Sequence, residues 1–263
     1  MKLLRWLTLC FLSLTLTLWL GSCSSPPQIQ AVTLNLAASG MVRTAVEEID
    51  RLYQQEHPNI WLNPTFAGTS VIRAAIEQGE PFDGVLLSEI SALDALQAQG
   101  LILPESRREL VTTDIVVIAA ADSAAVQLND LHELASHRLK TVAIGNKDLA
   151  VGRYTHPILS RLGILQAVES KAVWAKVDVR QILRAVEQGE AEVGITFLPE
   201  AKAFSKVKVL ATVSPDLYEP IRSGAAVVKT SPHLQEMQAY LDFVSSDRAM
   251  AVFQKFGLRP LRS

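Results

Sequence analysis

The sequence predicts an α/β protein built as two lobes. Two observations carry this. From Ala31 onward, short β-prone runs alternate with longer segments whose apolar residues recur at three and four, so strands and helices take turns along the chain. The segment Ile76-Glu77-Gln78-Gly79-Glu80 also returns as Val186-Glu187-Gln188-Gly189-Glu190, 110 residues later. Each copy would end a helix on glycine and lead into a strand. Two similar α/β lobes produce such an echo, and so does separate use of the common glycine stop.

The elements follow in order. Val32 to Ala37 alternates and then turns apolar, as a strand does. Val42, Ala45, Val46, Ile49, Leu52 and Tyr53 share one helical face. Trp61 to Phe66 is a second strand, and Pro64 within it, lacking a donor, points to an edge or a bulge. Ser70 to Gln78 is a helix stopped by Gly79, Val85 to Leu87 a short strand, and Ile90 to Gln99 a helix stopped by Gly100. This series implies a mostly parallel sheet covered by helices. The second stretch repeats the pattern. Strands are expected at Ile115–Ala120, Thr141–Ile144, Val193–Phe197 and Val207–Val213. Helices are expected from about Tyr154 to Leu162 and through Val179, Ile182, Leu183 and Val186. Leu234, Met237, Tyr240, Leu241 and Val244 mark a terminal amphipathic helix.

The N-terminus reads as a leader. Lys2 and Arg5 precede an uncharged apolar run from Trp6 to Leu20, shorter than a spanning helix needs. Leu20-Gly21-Ser22-Cys23 resembles the lipobox of bacterial lipoproteins, which implies removal of residues 1–22 and lipidation of Cys23. Ser24-Ser25-Pro26-Pro27-Gln28 would make residues 23–30 a tether. Cleavage leaves 241 of the 263 residues and takes away two cations, so the net charge of −2 becomes −4. That length suits one large domain or two small lobes. The mild acidity argues against a nucleic-acid partner. Cys10 leaves with the leader, so neither a disulfide nor a cysteine metal site is open to the mature chain.

Familiar catalytic patterns are missing. His132 and His137 stand five apart, about 140° out of phase on a helix, where a zinc-binding pair needs four. No phosphate loop, no Gly-x-Ser-x-Gly and no nucleophile with its base is present. Instead, small donor-rich loops precede helices. These are Ala37-Ala38-Ser39-Gly40, Ala67-Gly68-Thr69-Ser70, Leu149-Ala150-Val151-Gly152 and Asp178-Val179. Free N–H groups at helix starts favour anions, and a hydroxyl adds a donor, although each hydroxyl taken alone reads equally as a helix cap.

At these residues the chain resembles the periplasmic molybdate-binding proteins of ABC importers, from about Ala31 to Pro260. Ala37-Ala38-Ser39 resembles that family's opening block. Phe66-Ala67-Gly68-Thr69-Ser70 with Ile76-Glu77-Gln78-Gly79-Glu80-Pro81 resembles its second. Val142-Ala143-Ile144-Gly145, Ala150-Val151-Gly152-Arg153-Tyr154 and Leu162-Gly163 resemble its third. Asp178-Val179-Arg180 and Glu187-Gln188-Gly189-Glu190-Ala191 through Gly194-Ile195 resemble its fourth, and Phe253-Gln254-Lys255-Phe256-Gly257 its closing helix.

The resemblance implies an α/β periplasmic-binding-protein clamshell, each lobe a mixed, mostly parallel sheet flanked by helices. Residues 31–115 plus 226–263 would form lobe 1 and residues 116–225 lobe 2, with crossings near Val111–Val116 and Gly224–Val228. It further implies an oxyanion ligand, molybdate or tungstate, held through its oxygens with no direct protein–metal ligand and no cofactor. Ser39 and Thr69 would offer hydroxyls, and Val151 and Val179 backbone N–H groups. Phe197 stands where many members have a donating tyrosine, Ala150 replaces a proline, and Ser223-Gly224 replaces Tyr-Pro. Arg153, Arg180 and Arg222 are expected near the cleft mouth, where they would steer anions. The implied partners are an ABC permease and a lipid anchor. The implied form is a monomeric, exported, non-enzymatic receptor. The same clamshell tuned to another oxyanion or a small organic anion stays open, as do an envelope enzyme and a sensor on this scaffold.

Overall fold

The computed structural model describes residues 31–123 and 127–261. The leader, Cys23 and the tether lie outside them. Two sheets organise the body. The first has six strands in the order β11-β4-β10-β3-β1-β2, and the second five in the order β7-β6-β8-β5-β9.

In the first lobe, β1 (Val32–Ser39), β2 (Ile60–Ala67) and β3 (Gly84–Leu87) form a parallel trio with β1 central. Pro64 sits in β2 at the sheet's edge, where its missing N–H costs no ladder bond. Helices α1 (Arg43–Glu56) and α2 (Thr69–Glu77) connect the three strands, and α3 (Ile90–Ala98) follows them. In the second lobe, β6 (Val142–Gly145), β7 (Ala172–Ala175) and β8 (Val193–Phe197) form the matching parallel trio with β6 central. Here α4 (Ala150–Arg161) and the short α5 (Leu165–Glu169) precede β7, and α6 (Arg180–Glu187) precedes β8. The sequence echo now has a place in the fold. Each copy closes the helix between the edge strand and the third strand of its trio, α2 in one lobe and α6 in the other. Gly79 and Gly189 take φ of 83° and 74°, a left-handed turn that a side chain would strain.

The remaining strands bear out one expectation and correct another. Both sheets are mixed, as expected, and most strands of each run in the sense of its parallel trio. In the first sheet β10 (Ile221–Val227) runs against the trio and β4 (Arg108–Thr113), antiparallel to β10, returns to the trio's sense; in the second, β5 (Ile115–Ala120) runs against it and β9 (Val207–Thr212) returns. These strands carry the chain between lobes, β4 leading into β5 and β9 into β10. The correction concerns the return crossing, expected near Gly224–Val228. The whole of β10 pairs with β3 and β4, so the chain re-enters the first lobe between Thr212 and Ile221, and residues 221–225 belong to the first sheet. Gly224 permits this approach, because a Cβ there would lie 2.6 Å from the Arg108 carbonyl oxygen.

The outward crossing is the single residue Asp114, between β4 and β5. Its carbonyl accepts from Leu198 N–H at 2.9 Å, and its carboxylate pairs with Arg259 (Nη2–Oδ1 2.8 Å). The neighbouring Ile115 N–H donates to Tyr218 Oη at 3.4 Å, and Ile115 O accepts from Val213 N–H at 2.8 Å, so the two crossings lie side by side. Helices α7 (Leu198–Ala203), α8 (Leu234–Val244) and α9 (Asp247–Lys255) and the two-residue β11 (Arg259–Pro260) complete the chain. The α8 residue Tyr240 is buried against α1, where its hydroxyl donates to Asp50 Oδ1 at 2.5 Å. Burial lifts the Asp50 carboxyl from 3.8 to about 7.

Candidate functional site

Both parallel trios turn their C-terminal ends to one cavity of about 300 Å³. This is where open α/β sheets leave a crevice for ligands, and the volume suits a small solute. Ser39 ends β1, Ala67 ends β2 and Ser88 follows β3. Across the cavity, Phe197 ends β8, while the loops after β6 and β7 lead to Val151 and Val179. All five residues singled out from the sequence, Ser39, Thr69, Val151, Val179 and Phe197, line this cavity.

The hydroxyls are not used as helix caps. Ser39 precedes a 3-10 turn (Gly40–Val42) without a side-chain capping bond, and the cap of α2 is Gly68. Instead Ser39 Oγ accepts from the Ser88 N–H at 3.0 Å and lies 3.0 Å from Thr69 Oγ1, which lies 3.0 Å from Ser88 Oγ. Three hydroxyl protons serve two links between hydroxyls. One proton is therefore left over for a ligand, whichever way the chain of donors runs. Ser88 was not anticipated. Its signal was present, because it follows a strand as Ser39 ends one, but a three-residue apolar run gave that strand's end little definition.

Backbone donors add to this set. In α2 the first amide bonded to a carbonyl of its own helix is Ile72, to Gly68 at 3.0 Å, so the N–H groups of Thr69 to Val71 have no intrahelical acceptor. In α4 the first is Arg153, to Leu149 at 3.1 Å, which leaves those of Ala150 to Gly152. Gly152 lets the preceding loop fold tightly onto the helix, since a Cβ there would collide with the Asn146 carbonyl oxygen. At α6 the Asp178 carboxylate accepts from Arg180 N–H at 3.1 Å, next to the Val179 amide. These starts, with the positive ends of the helix dipoles, face one volume from both lobes.

The walls are apolar. Phe197 is 2 % exposed, its ring 6.1 Å edge-on to Tyr154, and it brings no donor to the cavity. Burial pushes the Tyr154 hydroxyl up to about 12, so it stays protonated. Phe66 carries the Arg43 guanidinium 4.3 Å from its ring centroid. Arg43 and Asp178 are the charged residues of the lining. Among the described residues, no group of three or more His, Cys, Asp or Glu side chains is placed to hold a metal ion.

The three arginines expected at the mouth are all engaged. Arg153 pairs with Glu89 of the other lobe (Nε–Oε1 3.2 Å), and Arg180 Nε lies 3.9 Å from Glu200. Arg222 lies 3.5 Å from Glu109 in a separate groove of the first lobe, away from the cavity. That is a correction for Arg222, and its cause is the placement of β10 in the first sheet.

A family model described as bacterial extracellular solute-binding protein matches residues 34–259. The chain belongs to this family. This solute-binding protein is 28% identical over 252 residues to YvgL of Bacillus subtilis, which is named for an ABC transporter substrate-binding lipoprotein. That match covers 93% of this chain and 95% of the relative. It is 27% identical to the molybdate-binding protein ModA of Haemophilus influenzae, over 86% of this chain and 89% of that one. It is also 25% identical to a Pseudomonas protein named aconitate isomerase, over 93% and 96%. The periplasmic molybdate-binding protein of Azotobacter vinelandii superposes with a TM-score of 0.77 at 19% identity, covering 88% of this chain and all of that one, and shares the two-lobed fold.

Proposed function

We propose that this protein captures a tetrahedral oxyanion, molybdate or tungstate, between its lobes and delivers it to an ABC permease. The observation that carries the reading is the convergence of Ser39, Thr69 and Ser88 with helix N-termini of both lobes on one cavity. Neutral donors in a water-poor volume hold a dianion without demanding a buried countercharge for each oxygen. The relatives named for molybdate binding and for ABC transport support the same reading. A thermal-shift series with molybdate, tungstate, sulfate and phosphate tests it, since a ligand of the native state raises Tm by mass action. Stabilisation by molybdate or tungstate is expected. No response to either at millimolar concentration rejects the assignment.

The donor-poor Phe197 wall favours a second reading, in which the ligand is another oxyanion or a small organic anion. Sulfate, phosphate or a small carboxylate stabilising more than molybdate in the same series would select it. We further propose that the protein binds without turnover. The lining pairs no nucleophile with a base, and its Asp178 carboxylate is held by the Arg180 amide at 3.1 Å. Incubation with cis- and trans-aconitate, followed by NMR, is expected to leave both unchanged.

The anchor completes the proposal: Cys23 is lipidated after removal of residues 1–22, and residues 23–30 tether a monomeric receptor beside its permease. Among the described residues no helix is long and apolar enough to cross a membrane. Cell fractionation should find wild type in the membrane pellet and Cys23→Ala released. Equal retention of both would overturn the anchor.

A further inference from the structure

Arg43 is the only cation among the residues lining the cavity, and it has no ion-pair partner among the described residues. It begins α1 where the 3-10 turn Gly40–Val42 runs into it, its own N–H bonded to the Gly40 carbonyl, and the helix dipole makes a positive charge unfavourable in this first turn. Its Nε is buried without a hydrogen-bond partner. Its guanidinium rests on Phe66. The one buried acid in its field, Glu200, is approached by Arg180 at 3.9 Å, and burial raises its carboxyl to about 7, so it neutralises Arg43 only in part. A half-buried cation whose buried Nε lacks a partner, at a helix N-terminus, is costly unless an anion shares the space.

We propose that Arg43 is a specificity-determining residue of this cavity, whose guanidinium donates charge-assisted hydrogen bonds to the bound anion beside the neutral hydroxyls of Ser39, Thr69 and Ser88. The inference rests on the anion-capture reading above. A guanidinium fork is matched by two oxygens of one anion, as a tetrahedral oxyanion or a carboxylate presents them. Arg43 therefore favours dianions over monoanions and makes affinity depend on salt more steeply than hydroxyls and amides alone would.

Isothermal titration of the purified full chain with molybdate, sulfate, phosphate and citrate tests this, using wild type, Arg43→Gln and Arg43→Lys, each at low and high sodium chloride. For whichever anion the wild type binds, Arg43→Gln should weaken binding by about tenfold to a hundredfold. Its salt dependence should flatten, and Arg43→Lys should recover part of the affinity. Without anion, Arg43→Gln should melt at or above the wild-type temperature, because it removes an unfavourable charge; a merely structural role predicts a lower Tm. If Arg43→Gln does not fold, Arg43→Lys carries the comparison, with a loss of at least about threefold expected as the fork is lost. Wild-type-like affinity and salt dependence in a folded variant overturn the inference while leaving the anion-capture reading intact. Failure of the wild type to bind any of these anions overturns both.

Discussion

Glu89 and Arg153 form an ion pair across the cleft. Glu89 holds the N-cap position of α3 in the first lobe without a side-chain capping bond, and Arg153 lies in the first turn of α4 in the second. The Arg153 Nε lies 3.2 Å from Glu89 Oε1, and its Nη1 also holds the Asp148 carbonyl at 2.8 Å. The pair ties the two lobes beside the cavity, and both side chains keep some contact with water. It should therefore bias the lobes toward closure modestly. Glu89→Gln is expected to weaken anion binding by about threefold to tenfold, roughly 1 kcal/mol, mainly through faster release. Stopped-flow dissociation measures this, and an unchanged off-rate would remove the latch role.

The Phe197 wall sets a second expectation. A tyrosine at this buried position would place a hydroxyl in the cavity, where the phenyl ring offers none. A hydrogen bond to a charged group contributes about 1.5–3 kcal/mol. Phe197→Tyr should thus tighten molybdate binding by about tenfold or more, less whatever the neighbouring Tyr154 ring must shift. Titration calorimetry decides, and unchanged affinity would mean that this wall does not limit binding.

The hydroxyl cluster couples binding to folding. Ser39→Ala removes the acceptor of the buried Ser88 N–H as well as a ligand donor. Leaving that amide unsatisfied should cost about 1–3 kcal/mol of stability, a fall in Tm of several degrees in a domain of this size. Ser88→Ala keeps the N–H to Ser39 bond and loses only the link to Thr69, so its apo Tm should fall less. Differential scanning calorimetry of the two apo variants would reverse this ordering if the Ser88 amide found another partner.

Asp50 predicts a pH dependence unrelated to the ligand. Its carboxyl stays protonated to about 7 in the fold, against 3.8 ordinarily, because burial opposes its charge more than the Tyr240 hydroxyl favours it. Between those values the folded chain binds more protons than the unfolded one, so stability falls as pH rises from about 4 to about 7. The buried Glu200, also raised to about 7, acts in the same direction. Asp50→Asn keeps an oxygen for the Tyr240 hydroxyl and has no charge to bury. It should unfold at higher denaturant than wild type at pH 8 and similarly near pH 4. Parallel midpoint curves across that range would contradict it.

Much of this protein was legible in the chain because the signals were local. The strands Ile115–Ala120 and Val193–Phe197 lie where alternation and apolar runs place them, and Leu234 to Val244 forms the expected helix. Pro64 pointed to an edge or a bulge, and β2 takes the edge, where a missing N–H is tolerated. The two helix stops at Gly79 and Gly189 marked equivalent points of two lobes, since only a left-handed turn closes both. The loops at Ser39, Thr69, Val151 and Val179 were legible as helix starts with free donors.

Tertiary structure decided what depends on partners far along the chain. Strand β10 was hidden because Arg222, Ser223 and Gly224 have no strand pattern of their own, and their pairing with β3 and β4 is what makes them a strand. Arg153 and Arg180 read as free cations until the fold brought Glu89 and Glu200 to them. Ser88 and Arg43 became candidates only when the ends of β1, β2 and β3 met the second lobe around a shared cavity. Periodicity and turn chemistry act over a few residues, so the sequence alone carries them. Charge pairing, burial and the convergence of donors act through space, and only the packed chain determines them.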